Sequence, residues 1–123
     1  MAADNDSEAN FRVTTSRRAP ETVALAVSGE LDMAAAPSLA AALDDAIKAS
    51  SGKLELDLRE CSFIDSRGLQ VIIEAGGSLA AQGRSLVLKS PQPHIRRLFD
   101  TAGIDQIEGL EVVTGSPEPN GDS

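Results

Sequence analysis

Asp65-Ser66-Arg67-Gly68 places a carboxylate, a hydroxyl, a guanidinium and a glycine in one row. Before them stands Phe63-Ile64, which reads as the end of a buried strand. After them an amphipathic run begins at Leu69. Asp65 is placed to act as the N-cap of that helix, its carboxylate accepting a hydrogen bond from the Gly68 amide. Ser66 then takes the first helical position, with its hydroxyl exposed at the positive end of the dipole. A phosphate there gains roughly 0.3–1 kcal/mol from the dipole and has free amides in reach. The commoner meaning of Asp-Ser at a strand-to-helix junction is capping alone. The local pattern leaves both readings open.

Other chemistries lack their parts. A serine nucleophile needs a base and an oxyanion site, and the Gly-x-Ser-x-Gly elbow is absent. His94 is the single histidine and precedes a different helix, where it reads as a surface residue. Cys61 is the single cysteine, which excludes an intrachain disulfide. It reads as a small buried hydrophobe at a strand end. With one His and one Cys no zinc cluster can be assembled, and no Walker-type loop occurs. No metal or cofactor is expected, and no enzymatic activity. Asp32, in Gly29-Glu30-Leu31-Asp32, reads first as a helix cap and second as an exposed contact residue. Arg96-Arg97 reads as a solvated face.

The elements that hold these residues must come from one modest core. The chain has 123 residues, 41% hydrophobic and 24% charged, which suits a single domain. Aromatics make up only 2%, so Ala, Val, Leu and Ile must fill the interior. No apolar run approaches the roughly 20 residues of a membrane span. Met1 to Asn10 is acidic and polar, unlike a secretory signal. A cytoplasmic protein is expected, without membrane contact. The net charge of -8 argues against direct nucleic-acid binding.

Periodicity divides the chain. Residues 1–10 and 115–123 read as disordered tails around a domain at 11–114. Phe11, Val13 and Thr15 alternate with polar neighbours, as in an edge strand. Ala19-Pro20-Glu21 reads as a turn. Val23, Leu25 and Val27 form a central strand that Gly29 should end. Leu39, Leu43 and Ile47 lie at helical spacing, with Pro37 in the first turn. Leu54, Leu56 and Leu58 make a third strand. Leu69, Ile72, Ile73 and Leu79 mark a second helix, in which Gly76 and Gly77 each cost about 1 kcal/mol and threaten continuity. Ser85 to Lys89 is a fourth strand. Ile95, Leu98 and Phe99 mark a third helix, and Leu110 to Val113 is a last short strand or helix edge. This order implies an α/β fold, a mixed sheet with helices packed against it.

Four segments taken together resemble a STAS domain, the family named for sulfate transporters and anti-sigma-factor antagonists. They are Gly29-Glu30-Leu31-Asp32, Leu56-Asp57-Leu58, Phe63 to Leu69, and Ser90-Pro91-Gln92-Pro93-His94-Ile95-Arg96-Arg97-Leu98-Phe99. The resemblance runs from about Val23 to Ile107. A stand-alone domain with short tails is most similar to the bacterial antagonist branch.

That resemblance implies a mixed four- to five-stranded sheet flanked by three to four helices, and no catalysis. It implies that Ser66, directly after Asp65, is the phosphoacceptor. The implied partners are an ATP-dependent serine kinase that is also an anti-sigma factor, and a serine phosphatase. The unphosphorylated form would bind the kinase and free a sigma factor; phosphorylation would release it, and the phosphatase would reset the switch. Asp32 matches a position near the kinase interface, so the implied contact set is Asp32, Asp65, Ser66, Arg67 and Gly68 on a monomer. Arg67 departs from the family motif, where a small Ser or Thr is usual. The rival reading is a non-switching STAS module in a lipid-transport or stress-signalling assembly.

Overall fold

The computed structural model describes residues 10–19 and 22–114. Apart from Asn10 and Ala19, the expected tails and the Ala19-Pro20-Glu21 turn lie outside them. Asn10 is tied to the sheet, its carbonyl accepting from the Glu30 amide at 2.7 Å.

Among the described residues the chain forms β1 (Phe11–Ala19), β2 (Thr22–Leu31), α1 (Ala36–Lys48), β3 (Leu54–Ile64), α2 (Ser66–Ala80), β4 (Leu86–Lys89), α3 (Pro93–Ala102), a 3-10 turn (Ile104–Gln106) and β5 (Leu110–Val113). The sheet runs β1-β2-β3-β4-β5 in space as in sequence. β1 and β2 follow each other closely and pair antiparallel. A helix separates each later pair, and those pairs are parallel, because a parallel neighbour needs a crossover.

One face of the sheet is aliphatic. Val23, Leu54, Leu86 and Leu110 stand in register across four strands, and Leu25, Leu56 and Leu88 form the next row. All seven are buried. Leu39 and Leu43 of α1, Ile72 and Leu79 of α2, and Ile95 and Phe99 of α3 join them in one core. The opposite rows are more polar, with Lys89 paired to Glu55 at 3.5 Å.

Three boundaries differ from the sequence expectations. β2 runs through Gly29 to Leu31. β3 joins the Leu54–Leu58 alternation and the Phe63-Ile64 strand end into one strand, and two bulges interrupt its alternation between them. Each bulge adds one residue to β3 against β2. Cys61 and Ile64 thereby stay buried while Arg59, Glu60, Ser62 and Phe63 face outward. A strict two-residue period therefore fails after Leu58. Finally, α2 is continuous across Gly76 and Gly77. Gly76 is buried where a Cβ would come within 2.6 Å of the Leu110 side chain, so its bareness lets α2 settle onto β5. Nothing in the structure explains Gly77, which faces open space. No described helix is long and apolar enough to cross a membrane.

Candidate functional site

Asp65 joins two turns at the carboxyl ends of β2 and β3. One carboxylate oxygen accepts from the Gly68 amide at 2.9 Å, the expected N-cap of α2. The other accepts from the Met33 amide, also at 2.9 Å. The Asp65 amide donates to the Leu31 carbonyl at 3.1 Å. This one residue therefore fixes the start of α2 against the turn that leaves β2. Capping by itself is worth roughly 1 kcal/mol.

Gly68 makes the junction sterically possible. A Cβ there would lie 2.6 Å from both Leu31 Cγ and the Leu31 carbonyl oxygen. The first turn of α2 thus presses on the last residue of β2, and any side chain larger than hydrogen pushes them apart.

Ser66 is the first residue of α2 and is exposed. Among the described residues its amide and that of Arg67 have no backbone acceptor, as expected for the first turn of a helix. Arg67 is also exposed, and its guanidinium donates to Gln70 Oε1 at 3.0 Å. Gln70 in turn donates to Glu74 at 3.1 Å. Arg67 therefore leans along α2 toward its second turn.

Asp32 closes a turn but does not cap α1. Its Oδ1 accepts from the Ala35 amide at 3.0 Å, and its carbonyl from the amides of Ala35 and Ala36. The N-cap of α1 is Ala35, which has no side-chain cap bond. The helix begins later than the sequence suggests because Asp32 first folds a tight turn of its own. That turn stands beside Asp65 through the Met33 amide, so Asp32, Asp65, Ser66, Arg67 and Gly68 gather at one end of the sheet.

Two further residues border this end. Met33 is 69% exposed and Phe63 46%, two of the three large hydrophobic side chains exposed among the described residues. Sequence reading took Phe63 as part of a buried strand end. The second bulge turns it outward, pairing it with Glu30, while Ile64 points in. Met33 carries no pattern of its own, so neither was visible as a surface feature.

Cys61 lies behind this surface, inside β3 and not at its end. Burial pushes its thiol pKa up. His94 is exposed, and its Nε2 sits 2.6 Å from the Ser62 carbonyl, while Gln92 donates to the Arg59 carbonyl at 3.0 Å. These two side chains satisfy carbonyls in the bulged stretch of β3. The imidazole is thus engaged with backbone at the start of α3. Among the described residues no group of three or more His, Cys, Asp or Glu could hold a metal ion.

A family profile described as "Mlab, STAS domain" matches residues 14–114. The chain belongs to the STAS domain family. The anti-sigma-B factor antagonist of Listeria monocytogenes is 32% identical over 111 residues, covering 90% of this chain and 97% of that protein. The crystal structure of an anti-sigma factor antagonist from Mycobacterium paratuberculosis is 27% identical and covers 86% of each chain, with a TM-score of 0.70. SpoIIAA of Bacillus in its phosphorylated form shares the fold at 23% identity, with a TM-score of 0.65 over 86% of this chain and 92% of that one. The STAS resemblance seen in the four sequence segments is thereby borne out, as is the mixed sheet it implied. In this STAS domain the Asp-Ser junction, the Asp32 turn and the two exposed apolar side chains form one continuous end of the sheet.

Proposed function

We propose that this STAS domain is an anti-sigma-factor antagonist switched by phosphorylation of Ser66. Unphosphorylated, it binds an anti-sigma-factor serine kinase and so releases a sigma factor for transcription. The kinase transfers phosphate from ATP to Ser66 and lets the antagonist go; a serine phosphatase restores it. The protein works as a cytoplasmic monomer, with no cofactor, no catalysis of its own and no contact with nucleic acid or membrane. Asp32, Asp65, Ser66, Arg67 and Gly68 make up the contact surface.

One observation carries this reading. Ser66 is an exposed hydroxyl at the first position of a capped helix, in a chain whose relatives are named as antagonists. The fold exists in a phosphorylated form in SpoIIAA, which supports its tolerance of such a group. Phosphorylation adds about -1.5 to -2 charges at neutral pH. Those charges fall beside the Asp65 carboxylate. Desolvating them against a partner without a counter-charge costs about 2–5 kcal/mol. This equals a roughly thirty-fold to several-thousand-fold loss of affinity, enough for release without refolding.

Intact-mass spectrometry with calorimetric titration tests the proposal. The kinase with ATP is expected to add one phosphate, and Ser66→Ala to take none. Ser66→Ala is expected to fold and bind normally, because one exposed hydroxyl is lost. Ser66→Asp is expected to fold and bind much more weakly. Phosphate at other sites only, or equal affinity of both forms, would sink the switch and favour a non-switching STAS module.

A further inference from the structure

Arg67 stands next to the phosphoacceptor, yet its guanidinium is held elsewhere. Gln70 accepts from it at 3.0 Å, and Gln70 is itself fixed by Glu74 at 3.1 Å. Gln70 lies three residues along α2, one helical turn beyond Arg67. A chain of two hydrogen bonds thus orients a cation on the exposed face of α2, within a turn of Ser66. Its described partner is a neutral amide. Among the described residues no carboxylate lies within 4 Å of Arg67; the same holds for Arg84 and Arg97, of which Arg84 is instead held by the Gly52 and Ile47 carbonyls. The guanidinium accordingly keeps most of its donors free. A planar fork with free donors suits a carboxylate from outside the molecule.

Resting on the antagonist reading, we infer that Arg67 selects the partner: it pairs with an Asp or Glu on the matching anti-sigma-factor kinase. Kinases lacking that acid, or carrying a base there, are refused. Arg67 touches neither phosphate nor nucleotide in this role, so it is a specificity residue and not a catalytic one. Its tether to Gln70 shortens the search among rotamers before docking, and rim charges of this kind act strongly on association rate.

The experiment uses the full chain against purified anti-sigma-factor kinases encoded in the same genome. Binding is read by calorimetry without ATP and phosphorylation by intact mass with ATP. Arg67→Glu is expected to weaken binding to the kinase that wild type prefers about tenfold or more, chiefly through slower association. Arg67→Lys is expected to weaken binding less than Arg67→Glu but measurably, since a cation remains while the planar fork is lost. Replacing the kinase acid with Arg is expected to restore binding of Arg67→Glu and weaken wild type. Melting temperatures of the variants should coincide, because Arg67 is exposed. If wild type binds and takes phosphate at Ser66 while Arg67→Glu binds equally well, partner selection by Arg67 is overturned and the switch stands. If Arg67→Glu alters only the phosphorylated form, Arg67 pairs with phosphate and the inference is again overturned. If no kinase binds wild type, the antagonist reading falls, and partner selection with it.

Discussion

The two ends of the parallel strands are each tied by one polar side chain, with opposite results. At the end where β3 and β4 begin, Arg84 donates to the Ile47 carbonyl at 3.1 Å, the Ser50 hydroxyl at 2.7 Å and the Gly52 carbonyl at 2.8 Å. It also holds Gln82 Oε1 at 2.8 Å. The cation thus meets carbonyls at and beyond the end of α1, where the dipole is negative. At the far end, Asp65 accepts from the Gly68 and Met33 amides. Both residues join two loops. Around Arg84 the backbone groups find protein partners, whereas Asp65 leaves Ser66, Arg67, Met33 and Phe63 facing water. A tether that satisfies its surroundings makes a structural end. One that only positions its neighbours makes a site.

Substitutions can break this contrast. Gly68→Val is expected to have the largest effect, about 3 kcal/mol of lost stability, because the first turn of α2 cannot move off Leu31 without opening the core. Chemical denaturation measures it, and kinase affinity should fall as well. Arg84→Ala is expected to cost about 2 kcal/mol, since it strands partly buried carbonyls, and to leave kinase affinity of the folded fraction unchanged. A matched loss of affinity would show that the two ends are coupled. Asp32→Asn keeps an acceptor for the Ala35 amide and is expected to change stability by less than about 0.5 kcal/mol. Its affinity for the kinase is expected to drop several-fold through the lost charge. Unchanged affinity would remove Asp32 from the contact surface and shrink the site to the start of α2.

Residues whose partners are near in sequence could be read directly. Asp65 capping Gly68 is a three-residue relation, and the strand rows from Val23 to Leu56 follow simple alternation. The site as an assembly was less legible. The Asp65–Met33 bond spans 32 residues and the Arg84 bonds 32 to 37, with backbone groups as partners. Backbone groups leave no mark in side-chain patterns. The bulges hid the burial of Cys61 from simple alternation in the same way, by changing which side of the strand a residue takes without changing its identity. Asp32 read as a helix cap, but whether the helix or a turn of its own claimed its carboxylate depended on where β2 ended.

The strand order has a consequence for how the molecule comes into being. Because β1 to β5 neighbour one another in the order of synthesis, each strand emerging from a ribosome meets a partner already made. No strand has to insert between two strands already in place. Growth of the sheet is vectorial, each crossover helix arriving just ahead of the strand it delivers. Waiting edges are what make slow parallel sheets prone to aggregation. Here the newest strand is the one open edge on the growing side, and the next pairing covers it.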